Sequence, residues 1–229
     1  MTKLRIATPP RIKPFQLQLG FAHQTIPSTC SIFKSFSDDC VVGIETKGEQ
    51  ADALAAALLD TTQVAYKILM KKRFYIEAKK RLIIQFFKIL SKQIKKQKVP
   101  EHSVAIFVQF LSERAWWAVT TPQLSLFRVR NGKTAVLFGS PIKSKRQISV
   151  SIAQLEPMAL EGDTVPGDTF VVTNQTFRST LNRKHLETSL SDTTSDNLKQ
   201  KAEELMQIAS KRRKEPHTIT LIQRNLHYI

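Results

Sequence analysis

The chain has 229 residues and a mass of 26.0 kDa, which suits one fairly large domain or two small ones. With 41% hydrophobic and 24% charged residues, its composition excludes a disordered tail and is typical of a globular protein. Lys and Arg outnumber Asp and Glu by 35 to 19, and the formal net charge of +16 favours an acidic partner such as nucleic acid, anionic lipid or an acidic protein surface.

The cysteine content and the apolar runs narrow the class of protein further. Cys30 and Cys40 are too few for a disulfide framework or a four-thiolate zinc site, so we expect free thiols in a reducing cytoplasm. Residues 1–14 are expected to form a flexible basic segment, and they contain no apolar stretch of signal-peptide length. No run approaches the eighteen or so apolar residues that a membrane-spanning helix needs.

In the first half of the chain, the spacing of the apolar residues changes once, from that of strands to that of helices. Alternation with a period of two predicts three strands, at 16–22, 29–33 and 40–45. Between Glu49 and Val99 the sequence contains no Gly and no Pro, and its apolar residues recur at helical spacing. This pattern predicts a pair of long helices, whose junction lies near residues 71–73 and whose apolar stripes face the core.

The second half returns to strands and then to helices. The dipeptide Asn131-Gly132 predicts a tight hairpin turn, because both central residues of the favoured turn need a positive φ. Asn182 is a candidate cap for a short helix, and an apolar stripe predicts a longer helix over 198–209. The predicted strands cover 103–110, 115–119, 124–129, 134–138, 148–152, 169–173 and 217–223.

No low-complexity linker, repeat or domain boundary interrupts this order, so we predict a single α+β domain over residues 1–229 in which helices lie outside packed sheets.

Several segments carry a family resemblance. Residues 118–133 resemble the A-N-V-G-D-S-R-x-Y-L-x-R-x-G-K hairpin of the PPM-type metal-dependent serine/threonine phosphatases (the protein phosphatase 2C family). Residues 166–177 are similar to the P-G-D-x-L-L-L-x-S-D-G-L motif of that family, and residues 217–222 are similar to D-N-I-T-L-I. The resemblance covers nearly the whole chain and implies a four-layer α-β-β-α sandwich of two antiparallel sheets flanked by helix pairs.

The matched positions depart from the family at its metal ligands. Gln175 stands where the family has a metal-binding Asp, and His217 and Thr218 stand at the Asp and Asn of the last motif; a slip of one or two residues would place Pro216 or Glu215 there. In the segment that corresponds to D-G-x-G-G, Ile44 or Glu45 takes the Asp position. The first family motif, R-x-x-N-x-D, has no counterpart, because the first 37 residues contain no Asp or Glu.

The resemblance implies two divalent ions, held by several aspartates, that activate a water for attack on the phosphoryl group. Hard cations such as Mg²⁺ and Mn²⁺ need anionic oxygen ligands, and Glu45, Gln175 and His217 supply at most one carboxylate. We therefore expect no catalytic residues, no metal and no cofactor, with Mn²⁺ or Mg²⁺ required only if the chain is a divergent active phosphatase. A mononuclear zinc or manganese site at these three residues is a further alternative.

The excess of positive charge is concentrated in two places. Residues 71–98 contain eleven Lys and Arg and one Glu, a net charge of +10 on one predicted helix, and a second basic cluster ends the last predicted helix. Either cluster is a solvated face or a docking surface for an acidic partner. The candidate partner-binding residues are Lys80, Lys88, Lys92, Lys95, Lys96, Lys211, Arg212, Arg213 and Lys214.

The leading hypothesis is a cytoplasmic, catalytically inactive PPM-type protein, a pseudophosphatase, that binds or regulates an acidic protein or a phosphoprotein. The first alternative is a protein that binds nucleic acid or another polyanion through the Lys71–Lys98 helix. The second alternative is a divergent active phosphatase.

Overall fold

We describe the protein from a computed structural model, which covers the chain in segments. The described residues are 16–24, 26–37, 39–71, 81, 84–85, 87–88, 104–111, 115–121, 123–139, 158–194 and 196–225. The predicted segment 1–14 and the predicted strand 148–152 lie outside them, as does most of the second predicted long helix.

Ten strands and four helices have described bounds, and the separately described residues 81, 84–85 and 87–88 are also helical. The strands are β1 (Gln16–His23), β2 (Thr29–Ser37), β3 (Cys40–Lys47), β4 (Val104–Leu111), β5 (Ala115–Thr120), β6 (Leu124–Arg130), β7 (Lys133–Phe138), β8 (Met158–Asp163), β9 (Thr169–Asn174) and β10 (Thr218–Asn225). The helices are α1 (Ala51–Lys71), α2 (Gln175–Thr180), α3 (Arg183–Ser189) and α4 (Leu198–Arg212).

The strands form two five-stranded antiparallel sheets. Sheet I has the order β1-β10-β9-β6-β7, and sheet II has the order β2-β3-β4-β5-β8. The β6–β7 hairpin turns at Asn131 and Gly132, whose φ angles of 50° and 69° confirm the predicted turn. Strand β8 and helix α2 were not among the predicted elements.

Alternating side chains give each sheet two buried faces, so the molecule has three apolar layers. The inner faces of the two sheets share a core that includes Phe107, Trp116, Leu126, Phe170 and Ile222. The outer face of sheet II packs on α1, and the outer face of sheet I packs on α2, α3 and α4. This arrangement is the expected α-β-β-α sandwich. Within the described segments, no helix is long and apolar enough to cross a membrane.

A charged cluster connects the two sheets at one end of the sandwich. Arg130 of β6 donates from Nε and Nη2 to the two carboxylate oxygens of Asp168, each at 2.7 Å, and from Nη1 to Asp163 at 2.7 Å. Asp168 lies in the turn before β9, whereas Asp163 ends β8 of the other sheet. The Asp168 side chain is only 1% exposed, and its Oδ2 also accepts from the backbone N–H of Val165 at 3.0 Å. The hydrogen bond to Asp168, with a smaller contribution from Asp163, raises the pKa of Arg130 above its usual value, so this guanidinium stays charged.

A glycine sets the distance between β1 and α4. A Cβ built at Gly20 would overlap the carbonyl group of Leu198 and lie 2.8 Å from the backbone nitrogen of Lys199. Only the absence of a side chain at Gly20 therefore lets α4 begin directly on the outer face of β1.

Candidate functional site

The candidate site lies between the sheets, at the end opposite the Arg130 cluster. Because side chains alternate along a strand, Glu45 of β3 lies on the same face of sheet II as Val41, which is the inner face. In the same way, Thr218 of β10 lies on the inner face of sheet I, with Ile222. Ser31 of β2 is the direct strand partner of Glu45. These three residues, Ser31, Glu45 and Thr218, form what we call the Glu45 site.

Hydrogen bonds join the Glu45 site across the two sheets. The Thr218 hydroxyl is hydrogen-bonded to the Glu45 carboxyl, and Ser31 Oγ lies 3.1 Å from Thr218 Oγ1. Glu45 is 6% exposed, and its Oε1 atom has no hydrogen-bond partner within the described part of the chain. Burial raises the pKa of Glu45 to about 6, and the Thr218 hydrogen bond and the Lys47 charge only partly oppose this rise. The site therefore holds one carboxylate, and it is weakly acidic.

Gln175 is the first residue of α2, at the end of β9. The preceding Asn174 caps the helix: its Oδ1 accepts from the backbone N–H of Phe177 at 2.9 Å, and its Nδ2 donates to the carbonyl of Pro216 at 3.1 Å. Gln175 is exposed and contributes a neutral amide where the family has a carboxylate. This cap was not predicted, although Asn is among the residues most favoured at the N-cap of a helix.

His217 directly precedes β10 and points away from the Glu45 site. Its ring makes an edge contact with Phe177, at a centroid distance of 6.1 Å, and its Nε2 lies 3.2 Å from the carbonyl oxygen of Arg213, to which it donates. Both residues belong to the helical layer outside sheet I. Burial lowers the pKa of His217, so the imidazole is neutral at pH 7. The structure therefore does not bring His217 and Glu45 together, and the mononuclear alternative lacks its imidazole ligand.

The basic residues divide between described and undescribed segments. Lys88 is exposed, whereas Lys80, Lys92, Lys95 and Lys96 lie outside the described residues. The second cluster is described completely: Lys211, Arg212, Arg213 and Lys214 are all exposed at the carboxyl end of α4.

The architecture is similar to that of several solved structures, serine/threonine phosphatases among them. A serine/threonine phosphatase from S. agalactiae superposes with a TM-score of 0.71 at 13% sequence identity, over 90% of this chain and 99% of that one. PppA, a key regulatory component of T6SS in Pseudomonas aeruginosa, gives 0.67 at 13% identity over 92% and 98%. The catalytic domain of the serine/threonine phosphatase PstP, solved with two manganese ions, gives 0.63 at 10% identity over 91% and 99%.

This chain has the PPM phosphatase fold. The likeness spans nearly all of this chain and of those three structures, which agrees with the resemblance seen in the motifs. No protein-family model and no curated protein matches the sequence.

The donors that this PPM fold places at the Glu45 site do not fit a pair of divalent cations. Two Mn²⁺ or Mg²⁺ ions need several anionic oxygens, whereas the site offers one buried carboxylate and the neutral hydroxyls of Ser31 and Thr218. Across the described segments, no group of three or more His, Cys, Asp and Glu side chains is arranged to hold a metal ion.

Proposed function

We propose that this chain is a PPM-fold protein without metal-dependent phosphatase activity, which acts as a binding or regulatory module. The observation that carries the proposal is the composition of the Glu45 site. The site has one carboxyl, with a pKa of about 6, beside two hydroxyl groups. It lies at the end of the sandwich where β9 and β10 carry the segments that resemble the family motifs.

The charge of the site explains why the family's chemistry would fail. Two divalent cations bring a charge of +4, and a site stabilises them by surrounding them with several carboxylates. At the Glu45 site only one negative charge is available, and burial already disfavours it. Without the cations, the charge of a phosphoryl group is not neutralised and no water is activated for attack.

The hydrogen bonds of the site support a structural role for its residues. Thr218 and Ser31 connect β10 of sheet I with β2 of sheet II, and Asn174 connects the start of α2 with the residue before His217. These bonds hold this end of the sandwich together and support the proposal that the fold needs no metal for its stability.

A metal titration followed by thermal unfolding tests this proposal. We expect the same unfolding midpoint in excess Mn²⁺, in excess Mg²⁺ and in EDTA. A cation that bound only the folded state would stabilise it by about 2.7 kcal/mol at a hundredfold excess over its Kd, which corresponds to roughly 5–10 °C for a chain of this size.

Two substitutions make the titration specific. Glu45→Gln removes the carboxyl of the site, and Glu49→Gln removes an exposed carboxyl as a matched control. A rise in midpoint with Mn²⁺ that disappears in Glu45→Gln and persists in Glu49→Gln would overturn the proposal.

A further inference from the structure

The carboxyl end of α4 forms a basic surface together with α2 and α3. Four consecutive basic residues, Lys211 to Lys214, lie at the carboxyl end of α4 and directly after it. The amino end of α3 adds Arg183 and Lys184. All six of these side chains are exposed. We refer to residues 183–185 and 211–214 as the α3–α4 basic surface.

Arg212 is held in place by contacts with α2 and α3. Its Nη1 donates to the carbonyl oxygen of Thr180 at 3.2 Å, and its Nη2 lies 2.8 Å from His185 Nε2. His185 Nδ1 lies 2.6 Å from Asn182 Oδ1, which also accepts the His185 backbone N–H. Because Asn182 Oδ1 can only accept, Nδ1 carries the imidazole proton, and Nε2 accepts from Arg212. The capping residue of α3 thus fixes the tautomer that positions Arg212.

Arg213 is oriented in a similar way beside Arg212. Its Nη1 donates to Ser179 Oγ at 3.2 Å. A guanidinium has five N–H donors, so each arginine keeps several donors that these contacts do not use. Two consecutive arginines whose guanidinium groups are bonded to adjacent residues of α2, Thr180 and Ser179, are suited to binding an anion with several oxygens.

The cations of residues 211–214 have no carboxylate partner within the described segments, unlike other basic residues of the same face. Lys201 of α4 pairs with Asp192 at 2.9 Å, and Arg183 pairs with Glu187 at 2.7 Å. Glu187 also accepts the backbone N–H of Thr134, so it is already occupied. Glu215 follows these four cations directly, so the segment 211–215 keeps a net charge of +3, at the negative end of the helix dipole, where cations are favourable.

We propose that the α3–α4 basic surface binds a phosphorylated segment of a partner protein, with Arg212 and Arg213 as the residues that contact phosphate. This inference rests on the proposed function, for which it supplies the docking surface and the chemistry of the partner. A phosphoryl group matches the arginine pair in charge and in its three acceptor oxygens. Nucleic acid fits less well, because none of the exposed large apolar side chains in the described segments is aromatic, and single strands are bound on exposed aromatic rings.

The test measures binding of the full-length chain to a fluorescein-labelled ten-residue peptide that carries two phosphoserines, by fluorescence anisotropy. The double variant Arg212→Gln/Arg213→Gln should raise the Kd at least tenfold. The control Lys34→Gln/Lys67→Gln removes the same charge from exposed sites on β2 and α1 and should change the Kd less than twofold. The unphosphorylated peptide should bind at least tenfold more weakly than the phosphorylated one.

Three results would overturn this proposal: equal loss of affinity in both double variants, equal binding of the two peptides, or tighter binding of a labelled twenty-nucleotide RNA that the arginine variant alone abolishes. The single variant Arg213→Gln is measured as well, since Arg212 also supports the end of α2 and its loss could affect folding. If the chain binds the phosphorylated peptide and does not hydrolyse it, the result supports both this inference and the proposed function. If the chain neither binds nor hydrolyses the peptide, the result contradicts only this inference.

Discussion

Replacing Asp168 by Asn is expected to lower the free energy of unfolding by about 2–4 kcal/mol. Both carboxylate oxygens of Asp168 accept hydrogen bonds: Oδ1 from Arg130 Nε, and Oδ2 from Arg130 Nη2 and the backbone N–H of Val165. In whichever direction an amide is placed, its NH2 group faces one of these donors. The substitution therefore removes the negative charge that pairs with Arg130. It also places the amide NH2 group next to another hydrogen-bond donor, from Arg130 or Val165, so that neither donor has an acceptor.

Chemical denaturation of the two proteins checks this expectation, and Asp163→Asn is the control. Asp163 contacts the same arginine, but its side chain is 68% exposed, so solvent screens the pair and the midpoint should stay close to that of the wild type. If Asp168→Asn and Asp163→Asn have the same small effect, the buried pair of Arg130 and Asp168 contributes little to stability.

Replacing Gly20 by Ala is expected to cost about 3 kcal/mol, because the new methyl group overlaps backbone rather than a movable side chain. The overlap involves the carbonyl of Leu198 at the start of α4, and Leu198 itself is 1% exposed in the layer beneath that helix. The steric overlap can be relieved only if α4 moves away from β1. For a chain of this size we expect the thermal midpoint to fall by roughly 6–12 °C.

Gly132→Ala is the matched control for an added methyl group. Gly132 has a φ of 69°, and a Cβ there meets no atom within 4 Å, so only backbone strain of about 1 kcal/mol is expected. The unfolding midpoints of Gly20→Ala and Gly132→Ala can be compared by heating each variant and monitoring its circular dichroism. An effect of Gly20→Ala no larger than that of Gly132→Ala would mean that α4 does not begin as close to β1 as described.

The elements that sequence analysis predicted well are those whose pattern is local. The turn at Asn131 and Gly132 needs only two adjacent residues with positive φ, and α4 has a clear apolar stripe through Leu198, Ala202 and Leu205. Strand β8 was missed because Met158–Asp163 contains Gly, Glu and Asp and no β-branched residue. It becomes a strand by pairing with β5 at the edge of sheet II, which is a tertiary effect.

The candidate site was predicted in part. Alignment of the motifs placed Glu45, Gln175 and His217 at ligand positions, and the structure puts Glu45 between the sheets. The direction of His217 was not predicted, because β10 has apolar residues on both faces and the motif gives no indication of which face is inner. Ser31 was missed since its contact with Thr218 joins residues 187 positions apart, beyond the reach of any local pattern.

The most direct measurement of whether this PPM fold has lost its activity is phosphate release from a phosphoserine peptide in millimolar Mn²⁺ or Mg²⁺. An active PPM phosphatase serves as the positive control, and Glu45→Gln and Glu49→Gln serve as variants. We expect release from this chain at the rate of the blank with either cation, because one weakly acidic carboxyl cannot hold the pair of divalent ions that the reaction needs. Metal-dependent release well above the blank, lost in Glu45→Gln and retained in Glu49→Gln, would contradict that conclusion.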